Sequence, residues 1–170
     1  QPKEMLPIYD KPIIQLVVEE AIDSGIENII IITNKNKPSM EAHFDIIDTS
    51  NSELKKLNDK LKKADITFKR QSSQKGLGDA ILCAKNLIKE DKFAIMLGDD
   101  FYIDYSKPAL KQLIDKLELN DGIISSEIRN KEDMVSKGMI IEKDGLVIDL
   151  LEKPKIDQVT SKYAISGRYI

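Results

Sequence analysis

The stretch Phe93-Ala94-Ile95-Met96-Leu97-Gly98-Asp99-Asp100 decides the fold. Its first five residues are apolar without alternation, the pattern of a strand buried on both faces. A glycine and a pair of aspartates then end it abruptly. A doubly buried strand needs helices above and below, and the flanking sequence supplies them. Upstream, Ala80, Ile81, Ala84, Leu87 and Ile88 recur at helical spacing and predict a helix over 76–89. Downstream, Leu110, Leu113, Ile114 and Leu117 predict another, followed by a strand over 122–128. Toward the amino terminus, Ile13, Ile14, Val17, Val18, Ala21 and Ile22 mark a helix with one buried stripe, opened by Pro12 and stopped by Gly25. An aliphatic strand over 28–33, a helix through Leu54, Leu57 and Leu61, and a strand through Ile66 and Phe68 complete the alternation. Helix and strand in turn predict right-handed crossovers and a parallel sheet covered on both faces. After Gly138 the pattern changes: runs over 139–142 and 146–151, joined through Asp144-Gly145, read as a hairpin, and a last run occupies 163–170.

The composition narrows the function. At 170 residues, the chain suits one domain with its own core. Lys plus Arg number 26 against 29 Asp plus Glu, a net charge of −3, which argues against duplex nucleic acid as a partner. Aromatic residues are only 5% and Trp is absent, so bases of a single strand would find few stacking platforms. No apolar run approaches membrane-spanning length, and the single cysteine, Cys83, suits a reducing compartment. These features predict a soluble, cytoplasmic chain with no membrane partner. Cys83 reads as a packed helix residue, His43 as a packing or surface residue, and Lys55-Lys56 and Lys62-Lys63 as a solvated helix face.

In an open parallel sheet, ligands bind beyond the carboxyl ends of the strands. Three segments there carry unusual chemistry. In Arg70-Gln71-Ser72-Ser73-Gln74-Lys75-Gly76-Leu77-Gly78-Asp79-Ala80, glycines permit close approach to backbone N–H groups at a helix start, and the Gln71 amide can read a base edge. The same loop also reads as an ordinary turn. Gly98-Asp99-Asp100 offers adjacent carboxylates to a hard cation, or equally to local backbone N–H groups. Glu152-Lys153-Pro154 would suit a sugar phosphate, although such a pair before a proline is common on surfaces. A fourth segment, Lys3-Glu4-Met5-Leu6-Pro7 with Asp10-Lys11-Pro12, holds an extended entry into the first helix.

Taken in order, these four segments resemble the sugar-phosphate nucleotidyltransferases. The resemblance is nearest to the UTP–glucose-1-phosphate uridylyltransferase family of bacteria and archaea, and it also takes in Ala42-His43-Phe44-Asp45 and Ser166-Gly167-Arg168-Tyr169. It implies an α/β fold with a mixed, mainly parallel Rossmann-like sheet, helices on both faces and a β-hairpin in the C-terminal part. The implied activity is transfer of UMP from UTP to glucose 1-phosphate with Mg²⁺, releasing pyrophosphate. Carried over by motif, Lys3 contacts the triphosphate, Glu4 sits near the nucleotide, and Gln71 and Gly76 read uracil. Asp99 ligates Mg²⁺, Gly138 and Glu152 hold the glucose hydroxyls, and Lys153 meets the sugar phosphate.

The departures define further expectations. The family's glycine-rich Gly-x-Gly-Thr-Arg loop would precede Gln1, and a second metal-holding acidic residue would follow Ile170. Residues 1–170 are therefore expected to be one nucleotidyltransferase domain, incomplete at both ends. Lys137 stands where many relatives carry Tyr. A thymidylyltransferase using dTTP is the nearest competitor; Glu4 and Lys75-Gly76-Leu77-Gly78 favour the uridylyl reading. A non-catalytic subunit that binds nucleotide sugars is the alternative of another class. A receiver domain fails because its acidic pair belongs near the chain start. A dinucleotide-binding domain fails for want of Gly-x-Gly-x-x-Gly after a strand. Assembly into a homo-oligomer stays open.

Overall fold

The computed structural model describes residues 2–45, 49–73, 75–103, 106–117 and 122–170. Gln74, quoted above within its loop, and Gln1 lie outside the described residues. The chain opens with a 3₁₀ turn, Lys3–Met5, and two short strands, β1 (Pro7–Ile8) and β2 (Lys11–Pro12), which pair antiparallel with Pro7 opposite Pro12. Pro12 then caps α1 (Ile13–Asp23), and Gly25, at φ 91°, follows its C-terminal end as the sequence predicts.

One core gathers around α1. Its Ile14, Val18 and Ile22 lie one turn apart and bury against β3 (Asn28–Thr33), α2 (Pro38–His43), α3 (Ser52–Leu61) and β4 (Asp65–Arg70), through Ile31, Met40, Phe44, Leu57 and Leu61. Asn51 caps α3 by accepting from the N–H groups of Glu53 and Leu54 at 2.9 and 3.2 Å. β3 and β4 pair in parallel, from Asn28 opposite Asp65 to Thr33 opposite Arg70. Alternation sends Ile29, Ile31, Ile66 and Phe68 to the α1 side. α4 (Leu77–Ala84) contacts both strands from outside that cluster and so covers the other face.

The second sheet is assembled differently. It contains β5 (Ile95–Met96), β6 (Ile124–Ile128), β7 (Gly138–Lys143), β8 (Leu146–Glu152) and β9 (Tyr163–Tyr169), with α5 (Ala109–Lys116) between β5 and β6 and α6 (Lys131–Met134) between β6 and β7. β9 runs through its middle: Tyr169 stands opposite both Ile95 and Ile124, and Ala164 opposite both Glu127 and Met139. Met134, Met139, Val159 and Ala164 form a second buried cluster here. β7 and β8 are the predicted hairpin, turned at Asp144 and Gly145 with φ of 53° and 79°. Positive φ at both residues is the demand of a tight hairpin turn, and it explains the Asp-Gly pair.

The mixed α/β architecture, with helices on both faces of the β3–β4 pair, agrees with expectation. The parallel content does not: among the described residues only β3 and β4 pair in parallel, and every pairing of β9 is antiparallel. Periodicity identifies a strand but says nothing of its neighbour, and the final run inserts between strands that precede it by tens of residues. The helix predicted over 76–89 ends at Ala84, leaving Leu87 exposed, and of the deciding strand over 93–97 the residues Phe93 and Ala94 stay outside β5. α2 and α6 were not predicted, since six and four residues are too few for a periodic pattern to emerge.

Candidate functional site

The site grows from the C-terminal end of β5. Leu97 donates its N–H to the Gly167 carbonyl at 2.9 Å, which carries the β5–β9 pairing one residue further. Gly98-Asp99-Asp100 then leaves the sheet, and the aspartates diverge. Asp100 turns inward, its Oδ2 accepting the Gly167 N–H at 3.1 Å. Only glycine fits at 167, where a Cβ would stand 2.8 Å from Asp100 Oδ2 and 2.9 Å from Leu97 Cβ. Asp99 turns outward and forms an ion pair with Lys3, which donates from Nζ to Oδ2. That hydrogen bond first, helped by the negative charges of Asp99 and Glu4, holds the Lys3 ammonium above its ordinary pKa against the opposing effect of burial.

Behind this pair lies Glu4, 7% exposed, its Cγ lying 3.7 Å from where a Cβ on Gly98 would stand. Lys37, in the loop after β3, donates to Glu4 Oε1 at 2.5 Å, while Glu4 Oε2 is buried without a hydrogen-bond partner. The Glu4–Lys37 pair ties the 3₁₀ turn to the end of the β3–β4 sheet. On that sheet, Gln71 follows β4, donating its N–H to the Thr33 carbonyl at 2.8 Å. Its side-chain amide donates from Nε2 to Asp79 Oδ2 at 2.6 Å. Gly76, at φ 103°, occupies the N-cap of α4 in a conformation that strains a side-chain-bearing residue.

Gly138 and Glu152 are paired residues of the hairpin. A Cβ on Gly138 would stand 2.7 Å from Ile165 Cδ1 and 3.0 Å from Glu152 Oε2, so the carboxylate rests against bare backbone. Lys153 follows at φ 46°, its N–H bonded to the Lys137 carbonyl at 2.9 Å. Tyr169 connects the two halves: burial first, then the nearby charges of Glu152 and Asp100, push its phenol above the ordinary value. The structure thus joins Lys3, Glu4, Gly98 and Asp99, and the charges of Glu152 and Asp100 both act on Tyr169. Among the described residues no hydrogen bond or ion pair links Gln71 or Lys153 to the Lys3–Asp99 pair.

Sequence reading missed four participants. Lys37 lies in a polar run without spacing to mark it, and Asp79 reads as a routine first-turn acid. Glu20 and Arg168 meet across 148 residues. The Arg168 side chain is fully buried, and its guanidinium donates to Glu20 (Nη2 to Oε2 at 2.7 Å), the Asp100 carbonyl (2.9 Å) and the Gly167 carbonyl (2.9 Å). It also lies over the Tyr102 ring at 4.8 Å. Arg168 therefore anchors the turn that presents Asp99.

The donor set limits what a divalent cation could find here. No group of three or more His, Cys, Asp or Glu side chains gathers as a metal centre among the described residues, and Asp100 is committed to the Gly167 N–H. Asp99, 36% exposed, can supply a single carboxylate, with phosphate and water completing the shell, and a cation already stands on it in the form of Lys3. No helix among the described residues is long and apolar enough to cross a membrane.

Comparison with known proteins returns a consistent set. The family model described as nucleotidyl transferase matches residues 1–170. The UTP--glucose-1-phosphate uridylyltransferase YngB of Bacillus subtilis is 42% identical, the match covering 100% of this chain and 62% of that protein. A second uridylyltransferase of B. subtilis is 41% identical over 99% of this chain and 63% of its own length. The chain thus spans about three fifths of the curated relatives it matches. A crystal structure of UDP-glucose pyrophosphorylase complexed with UDP-glucose superimposes with a TM-score of 0.90 at 37% identity, over 99% of this chain and 67% of that one. A UTP-bound enzyme from Acinetobacter baumannii superimposes with a TM-score of 0.80 at 31% identity, over 99% and 66%.

Proposed function

The chain belongs to the nucleotidyl transferase family, and from that premise we propose that it carries the catalytic face of an enzyme making UDP-glucose and pyrophosphate from UTP and glucose 1-phosphate. The observation that carries the reading is the Lys3–Asp99 pair, a cation and a carboxylate brought together across 96 residues at a strand tip. The relatives' names supply the choice of UTP and glucose 1-phosphate. In the reaction an oxygen of the sugar phosphate attacks the α-phosphorus of UTP. A new P–O bond forms, the α–β bridge breaks, and pyrophosphate leaves with its electrons. The attacking phosphate is already ionised, so no general base is required.

What the chain must do is hold two polyanions in line against their repulsion. Lys3 would leave Asp99 for the triphosphate, and Asp99 would then hold Mg²⁺. The bound ion would offset charge on the phosphates as pyrophosphate departs. Glu4, kept in place by Lys37, backs the nucleotide end of this arrangement. Gln71 and the Gly76 backbone would receive uracil. Glu152 would accept from glucose hydroxyls over the open backbone of Gly138, and Lys153 would meet the sugar phosphate. Preorganised charge of this kind acts chiefly on the transition state.

Turnover of glucose 1-phosphate with UTP and with dTTP, measured side by side in the full chain, tests the reading. UTP is expected to be the better substrate, and Lys3→Met to lower kcat/KM about a hundredfold or more, the scale seen when a preorganised charge is removed. A preference for dTTP would reject the uridylyl choice. Binding of UDP-glucose without turnover would favour a non-catalytic subunit.

A further inference from the structure

The geometry points to Asp79 as the residue that decides which pyrimidine Gln71 accepts, an inference resting on the proposed reading that Gln71 faces the base. Gln71 alone is ambiguous, since a primary amide turned end over end exchanges its donor and its acceptor. Asp79 removes the ambiguity. Gln71 Nε2 donates to Asp79 Oδ2 at 2.6 Å, and both side chains are half-buried. A carboxylate only accepts, so the inverted amide would set Gln71 Oε1 against Asp79 Oδ2 with no proton between them. Asp79 itself sits in the first turn of α4, where the helix dipole favours its charge.

With one N–H engaged by Asp79, Gln71 keeps one further N–H and Oε1 for a ligand. This pair complements an edge that offers an N–H next to a carbonyl. Uracil presents that edge at N3 and O4, and thymine presents the same one. Cytosine carries an acceptor at N3 beside an amino group at C4, and it would need the orientation that Asp79 forbids. The Gln71–Asp79 pair therefore rejects cytosine nucleotides while treating uracil and thymine alike.

The test is Asp79→Asn in the full chain, a change that keeps the shape but lets residue 79 either donate or accept. kcat/KM is measured for UTP, CTP and dTTP, and nucleotide affinities are measured alongside. The expected result is a fall of about tenfold or more in the UTP-over-CTP ratio, the scale of one hydrogen-bonding group left mismatched, with the UTP-over-dTTP ratio unchanged. A parent that uses CTP as readily as UTP overturns the proposal. So does an Asp79→Asn variant with an unaltered UTP-over-CTP ratio, or one in which both ratios fall together, the mark of general loosening. A parent that neither binds nor turns over UTP overturns the functional reading, and this inference with it.

Discussion

Replacing Glu20 by Gln would strip the counter-charge from a guanidinium that has no access to water. The Arg168 side chain is 0% exposed and bonded to Glu20 through both Nε, at 3.1 Å to Oε1, and Nη2, at 2.7 Å to Oε2. Glu20 Oε1 also accepts the Leu110 N–H at 2.9 Å, at the start of α5. A Gln could keep that last bond and part of the packing, so the loss isolates the charge. Removing one member of a buried pair costs about 3–5 kcal/mol, a large share of the roughly 5–15 kcal/mol that holds a domain folded. At about 2–4 °C per kcal/mol for a chain of this size, the melting temperature should fall by roughly 6–20 °C. Thermal and urea unfolding of Glu20→Gln, Arg168→Met and the double variant would measure it. The double variant should lose less than the sum of the singles by about 0.5–3 kcal/mol, since each single strands the opposite partner and the double strands neither. A shift of under about 1 kcal/mol for Glu20→Gln, or an additive cycle, would refute the argument that this pair holds the β9–α1 junction.

Two further predictions follow from the same geometry. Gly167→Ala would push a Cβ to 2.8 Å from Asp100 Oδ2 and 2.9 Å from Leu97 Cβ; a loss of about 1–3 kcal/mol in urea unfolding is expected, and a stability equal to the parent's would count against the close β5–β9 approach. His43 predicts an acid weakness. Its Nε2 lies 2.9 Å from Gln15 Oε1, whose amide is oriented by Glu19, and burial lowers its pKa below 6.5 despite the opposing charge of Glu19. Between the lowered folded value and the unfolded 6.5, the unfolded chain binds more protons, so this contribution is complete above about pH 6.5 and is lost as pH falls below it. Stability measured from pH 7.5 to 5 should therefore slope less steeply in His43→Gln; identical slopes would remove His43 from the account.

Much of the local structure was legible in the residues themselves. The stripe of α1, the aliphatic β3 and the Asp-Gly turn each express a short-range rule, so their positions followed from the sequence. The segments that carry the candidate site could be singled out by their glycines, carboxylates and lysines, although each taken alone also reads as an ordinary turn or surface pair. The partnerships could not be read the same way. Which aspartate of Asp99-Asp100 faces outward is decided by Gly167, 67 residues from Asp100. That Lys37 meets Glu4 across 33 residues and that Arg168 reaches the Asp100 carbonyl across 68 are consequences of the tertiary fold. A side-chain period of two or 3.6 reports which face of an element is buried, whereas the burying partner is chosen only when the chain closes on itself. β9 shows the division most clearly: its seven residues declare a strand, and only the folded sheet places them between β6 on one edge and β5 and β7 on the other.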